Sequence, residues 1–342
     1  MPSGDGARVG VRGSVNRMNT LYSWGSFKMS AKSDSDPFDG AVFRAGLLAG
    51  AVLLAGRPDL AGAHGFAGDR FFPATILTDD PFVADEMSLP TFTRPPTAAD
   101  GTHEFDLDVD IAKRITPDLG FTIGQGWVSS KTPGMPTVTG LSGLHTGLQY
   151  QLFIDPQREM MALAGLNVSW AHTGRVAALG ASDFTTITPT FDFGKGFGDL
   201  PDTLPYFRPF AITGNLSYDF PTKPGSAGLP NPNNFNYGFA FEYSLEYLQH
   251  HVKDVSLRPP FDHLIPLIEV ALSTPVNRGL SRNTTGTVQP GILWAGQYYQ
   301  IGAEAILPVN ALSGKGLGGV IQLHFYLDDI FPKSIGRPLL QW

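Results

Sequence analysis

Cysteine is absent from all 342 residues, which excludes disulfide staples, thiolate metal centres and a cysteine nucleophile. Charge is scarce as well: 16% of residues are Asp, Glu, Lys or Arg, against about a quarter in ordinary soluble domains. The net charge of -7, with no basic cluster to offset it, argues against a nucleic-acid partner. A spanning helix needs about 20 consecutive apolar residues, and the apolar run Ala45–Gly56 stops well short of that. Helical periodicity is missing from everything after that run. What is plentiful is Gly, at 40, and Pro, at 28; with no collagen-like period they read as turn residues.

The stretch Phe235–Leu248 sets the reading of the rest. Phe235, Tyr237, Phe239, Phe241, Tyr243, Leu245 and Tyr247 alternate with Asn236, Gly238, Ala240, Glu242, Ser244 and Glu246. Strand side chains point to opposite faces in turn, so the segment is a long strand with one aromatic and one polar, acidic face. Phe105, Leu107, Val109 and Ile111 alternate in the same way with Asp106, Asp108 and Asp110. Residues 184–193, 206–220 and 319–328 repeat the pattern, and Asp192 and Asp219 fall on its polar side.

Taken in order, residues 1–63 read as an N-terminal extension and a signal peptide. Arg44 precedes the apolar run and Ala61-Gly62-Ala63 supplies a small-x-small cleavage pattern before His64. Residues 64–84 have no period; Phe66, Phe71 and Phe72 suit a plug or a pad against one end of the domain. Strands are predicted at 85–93, 102–115, 119–129, 141–154, 158–171, 184–193, 206–220, 235–249, 263–274, 288–295, 298–307 and 319–328, with a tail over 331–342. The fold class is all-β.

Period alone does not separate a soluble sandwich from a transmembrane barrel. Strand length does: these segments exceed the roughly five or six residues of globular strands and match the about 9–11 needed to cross a bilayer at a tilt. The polar face is acidic, with Lys and Arg kept to the connections, and aromatic residues such as Trp127, Trp170, Tyr206 and Tyr298 sit near strand ends as an interfacial girdle would. With twelve strands the tight turns at 116–118, 155–157 and 296–297 share one side with both termini, as periplasmic turns do. Connections 194–205 and 250–262, on that same side, are longer than the pattern prefers. The sequence thus predicts a closed antiparallel transmembrane β-barrel of about twelve strands over 85–330, because lipid tolerates no unpaired sheet edge.

Gly302-Ala-Glu-Ala-Ile-Leu-Pro308 and Gly318-Gly-Val-Ile-Gln-Leu-His-Phe-Tyr-Leu-Asp-Asp329 carry a closer likeness. In these strands the chain resembles Gram-negative outer-membrane barrels, in particular transporter barrels encoded with aromatic-compound (phenol) degradation pathways. The resemblance implies export to the outer membrane, insertion by the barrel-assembly machinery, contact with outer-membrane lipid and passage of a small-molecule solute. Such barrels often end in an aromatic residue that assists insertion, the place held here by Trp342. Residues 331–342 follow the last strand, a departure that puts Trp342 outside the ladder.

A barrel would aim Asp106, Asp108, Asp110, Asp192, Asp219, Glu242, Glu246, Glu269 and Glu304 into its lumen. The expected function is a channel or transporter for small neutral or cationic solutes. The alternative is a non-conducting structural or ligand-binding barrel. A barrel hydrolase is less favoured: Ser142, His145, Ser169 and His172 are the nearest candidates, but no Gly-x-Ser-x-Gly elbow accompanies them. Zinc spacings are absent around His250, His251 and His263. The sequence therefore predicts no enzyme, no cofactor and no metal site.

Overall fold

The computed structural model describes residues 65–174, 183–226, 229–279 and 283–340. The signal-peptide reading, His64 and Trp342 lie outside these residues. Twelve long strands run in chain order: β1 Glu86–Arg94, β2 His103–Arg114, β3 Leu119–Lys131, β4 His145–Asp155, β5 Met160–Ser169 and β6 Thr186–Gly196. The second half adds β7 Phe210–Pro221, β8 Asn234–Tyr243, β9 Leu264–Pro275, β10 Thr285–Ala295, β11 Tyr299–Pro308 and β12 Gly318–Tyr326. Each is antiparallel to the next, and β12 returns to pair with β1 from Gly319↔Arg94 to Tyr326↔Glu86. The sheet is a closed twelve-stranded barrel. A short strand, Val138–Leu141, continues the wall of β4 against the outer end of β3.

All twelve predicted strands form. Pro90 sits where the β1 register slips between Ser88 and Thr91, an irregularity that spares the ladder the donor proline lacks. The opening stretch is the exception in length: β8 stops at Tyr243. Ser244 then caps a short helix, Leu245–Tyr247, its side chain accepting from the Tyr247 N–H. Leu245, Glu246 and Tyr247 therefore leave the alternation. β12 likewise ends at Tyr326, and a helical turn, Leu327–Ile330, takes over. The tail folds back, Leu339 and Leu340 donating to the carbonyls of Arg114 and Ile115.

Burial inverts the usual order of a sheet protein. Large apolar side chains on the outer face are exposed: Phe191 at 41%, Phe241 and Ile268 at 47%, Leu148 at 45%. Their polar neighbours are buried, Asp192, Thr213 and Glu269 at 0%. A soluble sheet would place these two sets the other way round.

The lumen contains chain of its own. A hairpin from Phe66 to Phe71 sits at the end that carries both termini, and the following residues rise into the barrel and return to β1. Phe72 packs in a dry cluster with Ala67, Phe82, Ala84, Met161 and Ala211. Ile76 and Phe71 pack on a second cluster formed by Ile265, Leu267, Leu293 and Ala295. Both clusters lie on the inner ends of strands at the turn side, so the apolar core of this protein is inside the barrel.

Candidate functional site in the barrel lumen

Three anchors fix residues 65–85. At the rim, Arg70 is 1% exposed and pairs with Glu159 at 3.1 Å. Its guanidinium also donates to the carbonyls of Arg208 and Pro209 and lies 3.9 Å from the centre of the Tyr247 ring. Tyr247 in turn donates to Glu159 at 2.8 Å. Glu159 belongs to the turn between β4 and β5, while Arg208, Pro209 and Tyr247 come from the two connections that are too long for plain turns, 197–209 and 244–263. Their extra length is used to hold the incoming segment.

At mid-height, Glu269 of β9 receives the turn of the segment. Its carboxylate accepts the backbone N–H groups of Ile76 (2.8 Å), Leu77 (3.0 Å) and Thr78 (2.8 Å) and the Thr78 hydroxyl (3.2 Å). Hydrogen bonds to an ionised acceptor are worth about 1.5–3 kcal/mol each, so this one side chain ties the turn of the segment to the wall. The third anchor is Asp85, which closes the return with Lys113 at 2.6 Å and Arg114 at 2.9 Å.

The remaining sequence-predicted lumen residues divide into groups. Asp79, at the tip of the segment, accepts from Asn215 at 3.1 Å, and Asn215 also donates to Asp192. Asp219 accepts from Thr188 at 2.8 Å, and Glu242 from Thr213 at 3.2 Å. Asp110 and His145 meet at 2.5 Å above Gly124, which stands between them in the cross-strand row Asp110↔Gly124↔His145. A Cβ on Gly124 would lie 2.0 Å from Asp110 Oδ1 and 2.1 Å from His145 Nε2, so only glycine leaves room for that pair. Gly291 does the same for Glu304: a Cβ there would fall 2.3 Å from the Glu304 side chain.

Glu246 corrects the sequence reading. It is on the helix after β8, with Oε2 3.3 Å from His263 Nδ1, and does not face the lumen. The cause is the Ser244 cap, which a period-two reading passes over. Conversely, Asp79, Arg70, Asp85 and the histidines 145 and 324 line or close the lumen and were not among the predicted residues. The aromatics of segment 64–84 suggest a plug, but without periodicity nothing beyond a lone arginine among them marks Arg70 as an anchor.

His263 lies outside the wall, at the turn-side rim, and Glu246 beside it raises its pKa above the ordinary 6.5. A folded-state pKa raised above the unfolded value stabilises the fold below that unfolded value, and the contribution fades as pH rises through the folded value. Glu246→Gln should therefore lower the thermal midpoint of detergent-solubilised protein at about pH 5.5 and leave it nearly unchanged above about pH 8. Equal shifts at both pH values would dissociate the pair from stability.

The hydrolase candidates do not converge on the outer face; Ser169 is the cross-strand neighbour of His145. Ser142 is buried and accepts from the Gly126 N–H at 2.8 Å, while His145 is turned to Asp110 inside the barrel. Among the described residues no three His, Asp or Glu side chains are grouped to hold a metal ion. Basic side chains on the strands, Arg94, Lys113, Arg114, Lys131 and Lys195, all stand at strand ends. Between the ends, the inner wall offers carboxylates, amides, hydroxyls and two histidines.

No protein-family model matches the sequence, and no curated protein matches it. Solved barrels are similar in outline. An outer-membrane channel from Pseudomonas putida F1 aligns with 71% of this chain and 95% of its own, at 11% identity and a TM-score of 0.46. The NanC porin covers 69% of this chain and 98% of its own, at 10% identity and a TM-score of 0.42. The KdgM porin gives the same coverage at 9% identity and a TM-score of 0.40.

Proposed function

We propose that this protein is an outer-membrane channel for small neutral or cationic solutes, constricted by residues 65–85 in its lumen. The observation that carries the reading is the separation of charge. Asp106, Asp108, Asp110, Asp192, Asp219, Glu242, Glu269 and Glu304 occupy the wall, while basic groups are held at the rims. A water-filled lumen of that kind lowers the energy of a cation and raises that of an anion. The exposed apolar outer face supports a lipid setting, since a closed barrel is one of the two ways a backbone can cross hydrocarbon. Small uncharged aromatic solutes fall within the class, as the resemblance of residues 302–308 and 318–329 implies.

The test is the reversal potential of the refolded protein in a planar bilayer under a potassium chloride gradient. Cation preference is expected, and Asp108→Asn with Asp219→Asn should reduce it by at least half. Strong anion selectivity would overturn the reading. A second reading, a ligand-binding barrel that does not conduct, is favoured by the segment filling the turn-side half of the lumen. Ligand binding without conductance, even after that segment is removed, would decide for it.

A further inference from the structure

The wall formed by β1, β2, β11 and β12 carries hydrogen-bond acceptors short of protein donors. Among the described residues, Asp106 Oδ1 and Gln322 Oε1 have no hydrogen-bond partner, and the carboxyl of Glu304 meets no donor other than the carboxyl of Glu269. All three residues are more than nine-tenths buried, at 9%, 6% and 6% exposure. The Gln322 amide nitrogen is already committed to the Thr91 hydroxyl at 3.2 Å, which leaves its oxygen facing the lumen. Glu269, the neighbour of Glu304, is itself an acceptor and is occupied by the amides of residues 76–78. Buried acceptors left without donors are costly. An amide among them makes this more than a cluster of acids.

Spacing selects the ligand. The register Asp106↔Thr93↔Val320↔Glu304 puts the two carboxylates three strand spacings apart, about 14 Å along the wall between their Cα atoms. A bare metal ion needs its oxygens within about 2.6 Å of one point, which this row does not provide. A molecule with N–H donors at both ends and a hydrocarbon middle meets the geometry. We infer that this wall is a binding site for an aliphatic diamine, one ammonium group held by Asp106 and the other by Glu304, with Gln322, on the strand next to that of Glu304, accepting from the ammonium at that end. The inference rests on the cation-admitting lumen proposed above and adds the class of solute.

The experiment is isothermal titration of the detergent-solubilised full chain with 1,4-diaminobutane, and with butylamine as the single-ended comparison. Saturable one-to-one binding is expected for the diamine, at least tenfold tighter than for the monoamine. Asp106→Asn and Glu304→Gln should each weaken it about tenfold. Asp254→Asn, on an exposed turn-side loop, should change nothing and controls for general charge. Equal affinity for the two amines, or unchanged binding in both lumen variants, would overturn the assignment. Where those results come with preserved cation selectivity in the bilayer, the channel reading survives and only the diamine site falls. Where anion selectivity appears, the channel reading falls first.

Discussion

Deletion of residues 65–84 is expected to raise single-channel conductance several-fold while the barrel still folds. Twelve strands about 4.8 Å apart and tilted by roughly 40° enclose a backbone cylinder roughly 24 Å across. Inward side chains narrow this to roughly half, wide enough for a small solute. The segment fills much of what is left on the turn side, where Phe72, Ile76 and Phe82 pack against the inner wall. The wall does not depend on it for closure, because every strand has both neighbours in the ladder. Asp85 would remain to tie the start of β1 to Lys113 and Arg114.

A single substitution should reproduce part of the effect. Arg70→Ala removes the cation from Glu159, which is 5% exposed, and breaking a buried pair this way costs about 3–5 kcal/mol. The rim latch would open, and the segment would become susceptible to protease added from the turn side. Conductance equal to wild type in both variants, with the barrel intact by heat-dependent gel mobility, would show that residues 65–85 do not constrict the path.

The second large effect belongs to the outer face. Phe191→Arg and Ile268→Arg, near the middles of β6 and β9, should each destabilise the protein by about 2–4 kcal/mol in lipid vesicles, the depth-dependent cost of arginine at the bilayer midplane. Both side chains are already some 40–50% exposed. In a water-soluble sheet, charged substitutions at such positions would stay within about 0.5 kcal/mol. The two settings therefore predict different numbers for the same variants. Urea titration of vesicle-inserted protein measures them. A change near zero, or a protein that stays monodisperse without detergent, would remove lipid from the account.

Alternation marks the long strands, while β1, interrupted by Pro90, is counted because an even strand number puts the tight turns on one side. The side-chain direction of a strand is local, reversing at every residue, and it writes Asp106, Asp108 and Asp110 on one face whatever the rest of the chain does. Ser244 also carries a helix-capping signal, which period two alone does not register. Ser244 ends β8 by offering its side chain to the Tyr247 N–H, and Glu246 follows the helix to His263. The length of the connections 197–209 and 244–263 has a tertiary cause, since Arg208, Pro209 and Tyr247 in them hold Arg70.

By itself, then, the order of residues determined an all-β chain with an apolar and an acidic face, in an even number of strands with short turns on one side. These follow from period two and from turn chemistry, both properties of neighbouring residues. Only the tertiary structure decided what occupies the lumen, because Glu269 meets the amides of residues 76–78 across 191–193 positions of chain. It also decided which carboxylates have partners. Whether Asp110 finds His145, or Glu304 lies over Gly291, depends on the register between strands, and a shift of one residue would turn each of them to the opposite face.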